Sequence, residues 1–88
     1  MSNFNQNKKE ETYHKLVSII SEVIADESVV LSEETSLINT YLDSLSLMIL
    51  VEKVEQGFGV EFGPGEVTSE SFNTPKGILD LLSHKLNL

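Results

Sequence analysis

Across residues 8–25, apolar side chains recur at Tyr13, Leu16, Val17, Ile20, Val23 and Ile24. This i, i+3, i+4, i+7 rhythm puts them on one helix face, with Lys15, Ser18, Ser21 and Glu22 turned mostly away. The spacing predicts a first helix over about residues 8–25, preceded by a flexible polar segment, residues 1–7, and ended by residues 26–28. A connection of residues 26–43 follows. It has no helical period but carries apolar positions at Val30, Leu31, Leu37, Ile38 and Leu42. Loops of this length are uncommon in compact domains and are often functional. The apolar positions predict anchors laid across a core.

Asp43 or Ser44 is predicted to cap a second helix running to about Gln56, with Gly57 just past its end, where left-handed backbone is common. At 100° per residue this helix has two apolar stripes. Leu47, Leu50, Val51 and Val54, continued by Phe58, form a core face, and Phe58 is expected to be buried beside Leu50 and Val54. Leu45, Met48 and Ile49 lie nearly opposite, with Glu52 and Gln56 continuing below them. A small domain cannot bury both stripes, so the second is predicted to be an interaction surface.

Val60 and Phe62 alternate as a short extended piece, and Gly63-Pro64-Gly65 marks a turn. A short third helix is predicted over about residues 67–72. Thr74-Pro75, a capping hydroxyl followed by proline at the first helical position, opens a last helix with Ile78, Leu81, Leu82 and Leu86 on its apolar face. The predicted fold class is all-α, a small four-helix bundle of three longer helices and one short one. Residues 8–88 are expected to form it as a single domain.

A chain of 88 residues buries a modest core, about 60 to 65% of its unfolded surface. A deep enclosed active site would compete with that core, so no catalytic residues are expected. The size favours a module on which other proteins act. The absence of Cys excludes disulfides and thiolate metal sites, and no metal site is expected. His14 and His84 stand alone, and no His lies near Ser44 in sequence to support a hydrolytic triad. Glu10-Glu11 and Glu33-Glu34 lack calcium-loop spacing. Gly57-Phe58-Gly59 and Gly63-Pro64-Gly65 follow a helix rather than a strand, unlike a phosphate cradle.

Fourteen acidic residues against six Lys give a net charge of −8, which argues against a nucleic-acid partner. An acidic surface steers basic patches on proteins, and it also simply maintains solubility. No apolar run approaches a membrane span, and the polar start is unlike a secretory leader. The expectation is a cytoplasmic, monomeric, free-standing protein without membrane insertion.

Ser44 opens the second helix, where unpaired N–H groups and the positive end of the helix dipole accommodate a phosphate. Asp and Ser are also ordinary caps, so these two residues alone decide nothing. The wider pattern does more. It comprises Asp43-Ser44-Leu45, Leu50, Glu55 and Phe58-Gly59-Val60-Glu61-Phe62, with Thr35-Ser36-Leu37 before it and Ser71-Phe72-Asn73-Thr74-Pro75 after it. Together these resemble the acyl carrier and peptidyl carrier superfamily over about residues 13–86.

The resemblance implies a 4′-phosphopantetheine arm on Ser44, transferred from coenzyme A by a phosphopantetheinyl transferase, with Asp43 helping to orient that complex. The thiol then comes with the arm, which suits a chain without Cys. The cargo would be acyl, aminoacyl or peptidyl thioesters. Further partners implied are a loading ligase, adenylating enzyme or acyltransferase, and synthase or tailoring enzymes. Leu45, Met48, Ile49 and Glu52 are the expected partner-binding residues.

Fatty-acid carriers usually show several carboxylates along the second helix. Here Ser46, Ile49 and Lys53 leave only Glu52 and Glu55. With Phe72-Asn73-Thr74-Pro75, this points toward a polyketide or nonribosomal-peptide type of pathway. The alternatives are a housekeeping fatty-acid carrier and an unmodified carrier-like adaptor acting only by protein–protein binding. A small hydrolase using Ser44 would lack a nearby base.

Overall fold

A computed structural model describes the backbone of residues 4–88 and the side chains from residue 8 onward. Among the described residues there are three helices and no strand: α1 (Phe4–Ile24), α2 (Ser44–Phe58) and α3 (Pro75–Leu86). Residues 4–7, expected as a flexible lead-in, continue α1, while residues 1–3 lie outside the described residues. Gln6 is the one good helix former among Phe4, Asn5, Gln6 and Asn7, so this turn extends a helix established further along rather than starting one of its own.

Each helix gives the core a buried pair four residues apart: Leu16 and Ile20, Leu50 and Val54, Ile78 and Leu82. That spacing stacks two side chains on one face, one turn above the other. Helix α1 packs closely against both α2 and α3, whose backbones stand further from each other. The connections therefore complete the core. Leu37, Leu42 and Phe72 are as buried as the helix residues, and each such side chain stabilises the fold by about 1.5 to 3 kcal/mol.

Phe58 corrects an expectation. It is half-buried at the edge of the core, with Lys15 Nζ 5.0 Å from its ring centre. The same ammonium donates to the Gly57 carbonyl at 2.6 Å, partnering the exposed end of α2. Gly57 is not the terminator but lies inside α2, where a Cβ would come within 2.9 Å of Ile19 Cδ1. Gly59 takes the left-handed position instead, at φ 67°, and its N–H donates to Glu55 O.

Ala25 ends α1 in the left-handed region, φ 57°, donating its N–H to Ser21 O at 2.8 Å. A Cβ there costs about 1 to 2 kcal/mol. Glycine removes that strain but frees the unfolded chain by about 0.4 to 1 kcal/mol. Ala25 is exposed, so no packing is lost on replacement. Ala25→Gly is expected to raise stability by up to about 1 kcal/mol, measured as a higher urea midpoint. A lowered midpoint would contradict the strain.

The α1–α2 connection is pinned as expected at Leu37 and Leu42, but Val30 is 88% exposed. Leu31 is the residue of this stretch that packs against the core, and Val30 beside it faces solvent. Leu37 O accepts the N–H groups of Thr40, Tyr41 and Leu42, and Asn39, at φ 66°, donates to Leu42 O at 3.0 Å. Asn73 ties this knot to the other connection. Its Oδ1 accepts from Leu37 N, Ile38 N and Ser36 Oγ at 3.2, 3.0 and 3.3 Å, and its carbonyl accepts Leu37 N at 2.7 Å.

Residues 67–72, predicted as a short helix, form a turn instead. Thr68 Oγ1 accepts the N–H groups of Glu70 and Ser71, and Ser71 Oγ donates to Glu66 O at 2.6 Å. Such side chains compete with helix for backbone groups. Glu55 Oε2 accepts the Phe62 N–H at 2.9 Å, and Glu66 accepts from Gly63 N and pairs with Lys85 at 2.8 Å. Thr74 and Pro75 open α3 as predicted, with Thr74 Oγ1 accepting from Gly77 N. At Gly77 a Cβ would stand 2.8 Å from Ser71 O, so the turn can press on α3 only at a glycine.

Candidate functional site

Of the two predicted caps, Asp43 does the capping. Its extended backbone (φ −91°, ψ −174°) lets the carboxylate turn back and accept the Ser46 N–H at 2.8 Å. That hydrogen bond, aided by the Ser46 hydroxyl, holds the Asp43 carboxyl below its usual acidity range. A carboxyl lowered on folding contributes stability above its unfolded pKa, about 3.9, and loses it as the pH falls through the folded value. Asn caps as well as Asp but cannot be protonated. Asp43→Asn should therefore gain relative to the parent chain in urea midpoints between about pH 6 and pH 3. A constant difference across that range would contradict the assignment.

With the cap taken by Asp43, Ser44 is free. It is the first residue of α2, it is exposed, and its hydroxyl makes no hydrogen bond to another described residue. Ser18, Ser21 and Ser69 are exposed too but lie away from the start of α2, and several other serines are committed. The hydroxyls of Ser28, Ser32, Ser36 and Ser71 engage Asp26, Thr35, Asn73 and Glu66 O, and Ser83 is buried. Leu47 N is the first amide to bond back within α2, to Asp43 O at 2.8 Å. Unpaired first-turn N–H groups and the dipole therefore lie beside Ser44. An uncovered hydroxyl in this setting fits a phosphodiester attachment.

The second stripe of α2 is outward as predicted, with Leu45 67%, Met48 68% and Ile49 40% exposed. Glu52 is exposed alongside them. Met48 and Glu52 also line an open groove of about 470 Å³ with Leu47, Val51, Glu55 and Val67. Glu55 is not a spare surface charge, because its carboxylate holds the Phe62 amide.

Three features escaped the sequence reading. Tyr41, 41% exposed, stands three residues before Ser44 with no period to announce it. The Asn73 staple joins residues 35 to 37 positions apart, which leaves no local signal. The Ser83 hydroxyl is buried without a partner among the described residues.

Residues 14–82 match the family described as phosphopantetheine attachment site. The acyl carrier protein of Coprothermobacter proteolyticus is 30% identical over 80 residues, which cover 90% of this chain and 95% of that protein. No solved structure matches the chain. With a family match across most of its length and a relative aligned nearly end to end, the chain belongs to the phosphopantetheine-attachment family: it is a carrier protein rather than an enzyme, and its cofactor is 4′-phosphopantetheine.

Proposed function

We propose that Ser44 is the attachment point and that the carrier serves a polyketide or nonribosomal-peptide type of pathway. The observation that carries the attachment is the Ser44 hydroxyl, exposed and unpartnered at the start of α2 beside an uncovered apolar stripe. In the loading reaction Ser44 Oγ forms the new O–P bond at the pantetheine-bearing phosphorus as the pyrophosphate bridge of coenzyme A breaks, adenosine 3′,5′-bisphosphate leaves with the bridging oxygen, and the hydroxyl proton goes to a base on the transferase. Asp43 keeps the start of α2 in place and orients the transferase complex. Once attached, the group supplies a thiol on a long flexible arm, on which acyl, aminoacyl or peptidyl cargo is held as a thioester. Incubation with coenzyme A, a divalent cation and a broad-specificity phosphopantetheinyl transferase should add the mass of one phosphopantetheine. An unchanged mass would favour the unmodified adaptor.

The pathway reading rests on how partners dock. A loading ligase, adenylating enzyme or acyltransferase must approach Ser44, and Leu45, Met48 and Ile49 are the exposed side chains on the first turns of α2. Ser46, Ile49 and Lys53 replace acids, and Glu55 is occupied internally, so Glu52 is the one carboxylate left for a partner on this face. Burying one large apolar side chain contributes about 1.5 to 3 kcal/mol. An exposed ion pair seldom exceeds about 1 kcal/mol. Met48→Ala or Ile49→Asp should therefore slow loading by the cognate partner at least as much as Glu52→Ala. The check is loading kinetics at low and high salt, with circular dichroism on each variant. If salt and Glu52→Ala remove most of the activity while the apolar variants load normally, docking is ionic and the housekeeping fatty-acid reading takes over.

A further inference from the structure

Immediately before Ser44, residues 39–43 line an open hollow of about 350 Å³. Its backbone is already tied in place. Leu37 O accepts three N–H groups from the knot, Asn39 N bonds Leu42 O, and the Leu37 and Leu42 side chains are locked in the core. The side chains facing solvent here are different. The Asn39 amide, the Thr40 hydroxyl and the Tyr41 phenol are exposed and make no hydrogen bond to another described residue. A rigid backbone thus presents unspent neutral donors and acceptors together with an aromatic ring.

Charge decides what such a hollow accepts. Asp43 is one of its five lining residues, and its carboxylate is ionised at neutral pH. It repels a phosphodiester and favours groups that bring N–H or O–H donors. The arm offers those groups a few bonds beyond its phosphate, where a pair of geminal methyls is followed by a hydroxyl and then an amide. Tyr41 is three residues from Ser44, so their Cα atoms are at most about 11 Å apart. The methyls suit the Tyr41 ring, and the hydroxyl and amide suit Asn39, Thr40 and Asp43.

We infer that residues 39–43 form a resting site for the neutral, amide-bearing part of the arm, leaving its phosphate at the start of α2. The inference rests on attachment at Ser44 and goes beyond it by assigning a binding role to Asn39, Thr40 and Tyr41. Because the hollow is open and its hydrogen bonds compete with water, occupancy is partial and the arm is readily released to a partner.

The test compares the full chain before and after loading with coenzyme A and a transferase, with intact mass taken on the same samples. Amide shifts of residues 39–43 should change on loading, and the two geminal methyls of the arm should move away from their positions in free coenzyme A under the Tyr41 ring current. Tyr41→Leu keeps the apolar bulk and should return most of that displacement. Asn39→Gly suits the left-handed backbone at φ 66° and should remove most of the amide changes at residues 39–41. A chain that gains no mass overturns both the attachment and this site. A loaded chain whose changes stop at residues 44–47, with methyl resonances indifferent to Tyr41→Leu, overturns this site alone.

Discussion

Ser44→Ala is expected to abolish phosphopantetheine loading completely while leaving the fold nearly untouched. The first half follows from chemistry: no other oxygen at the start of α2 is both a hydroxyl and free, since Asp43 offers a carboxylate already bonded to Ser46 N. The second half follows from the capping arrangement. Had Ser44 been the cap, its loss would cost about 1 kcal/mol. With Asp43 in that role, an exposed Ser to Ala change in the first turn should stay within about 0.5 kcal/mol. Intact mass after transferase treatment and a urea titration of the same variant check both halves. Continued loading of the variant would move the attachment to another serine. A large loss of stability would show that the Ser44 hydroxyl has a structural partner.

The cap shows how far local chemistry reaches. Asp and Ser rank together at this position, so spacing alone left two candidates, and backbone geometry separated them. Thr74-Pro75 was unambiguous because proline lacks the N–H that an interior helical position needs. The spacing points to Gly57 as the end of α2, but the helix runs two residues further and Gly59 takes the left-handed position. A glycine signals where a helix can stop, and a second one two residues on leaves the choice to the surrounding packing. The outward stripe of α2 was legible because helical period and domain size together forbid burying both faces. The turn at residues 67–72 was not, since Thr68 and Ser71 act through side-chain hydrogen bonds that mimic helix propensity in a short window. Phe58 was misplaced for a related reason. It continues the core stripe in projection, but at the end of α2 it reaches only the edge of the core, and the ring is partly covered by Lys15.

The aromatic that fills the core is Phe72, and its removal should have the largest effect on stability. Phe72 is fully buried, and its ring meets Phe62 edge-on, with centroids 5.4 Å apart and planes at 85°. It belongs to the same buried cluster as Leu50 and Val54 of α2 and Ile78 and Leu82 of α3, so its removal opens a vacancy in the middle of the core. The turn that carries it is held by Thr68, Ser71 and Asn73, which resist collapse of the backbone inward. Phe72→Ala is therefore expected to cost about 3 to 5 kcal/mol. That is a large share of the roughly 5 to 15 kcal/mol that holds a domain together, and small domains sit toward the lower end. Phe58→Ala removes a ring that is only half-buried and should cost about half as much, roughly 1.5 to 2.5 kcal/mol. Urea titrations of the two variants, compared at equal slope, set them in order. If Phe58→Ala lowers the midpoint more than Phe72→Ala, the core is centred on the end of α2, and the account of Phe72 as its central aromatic is wrong.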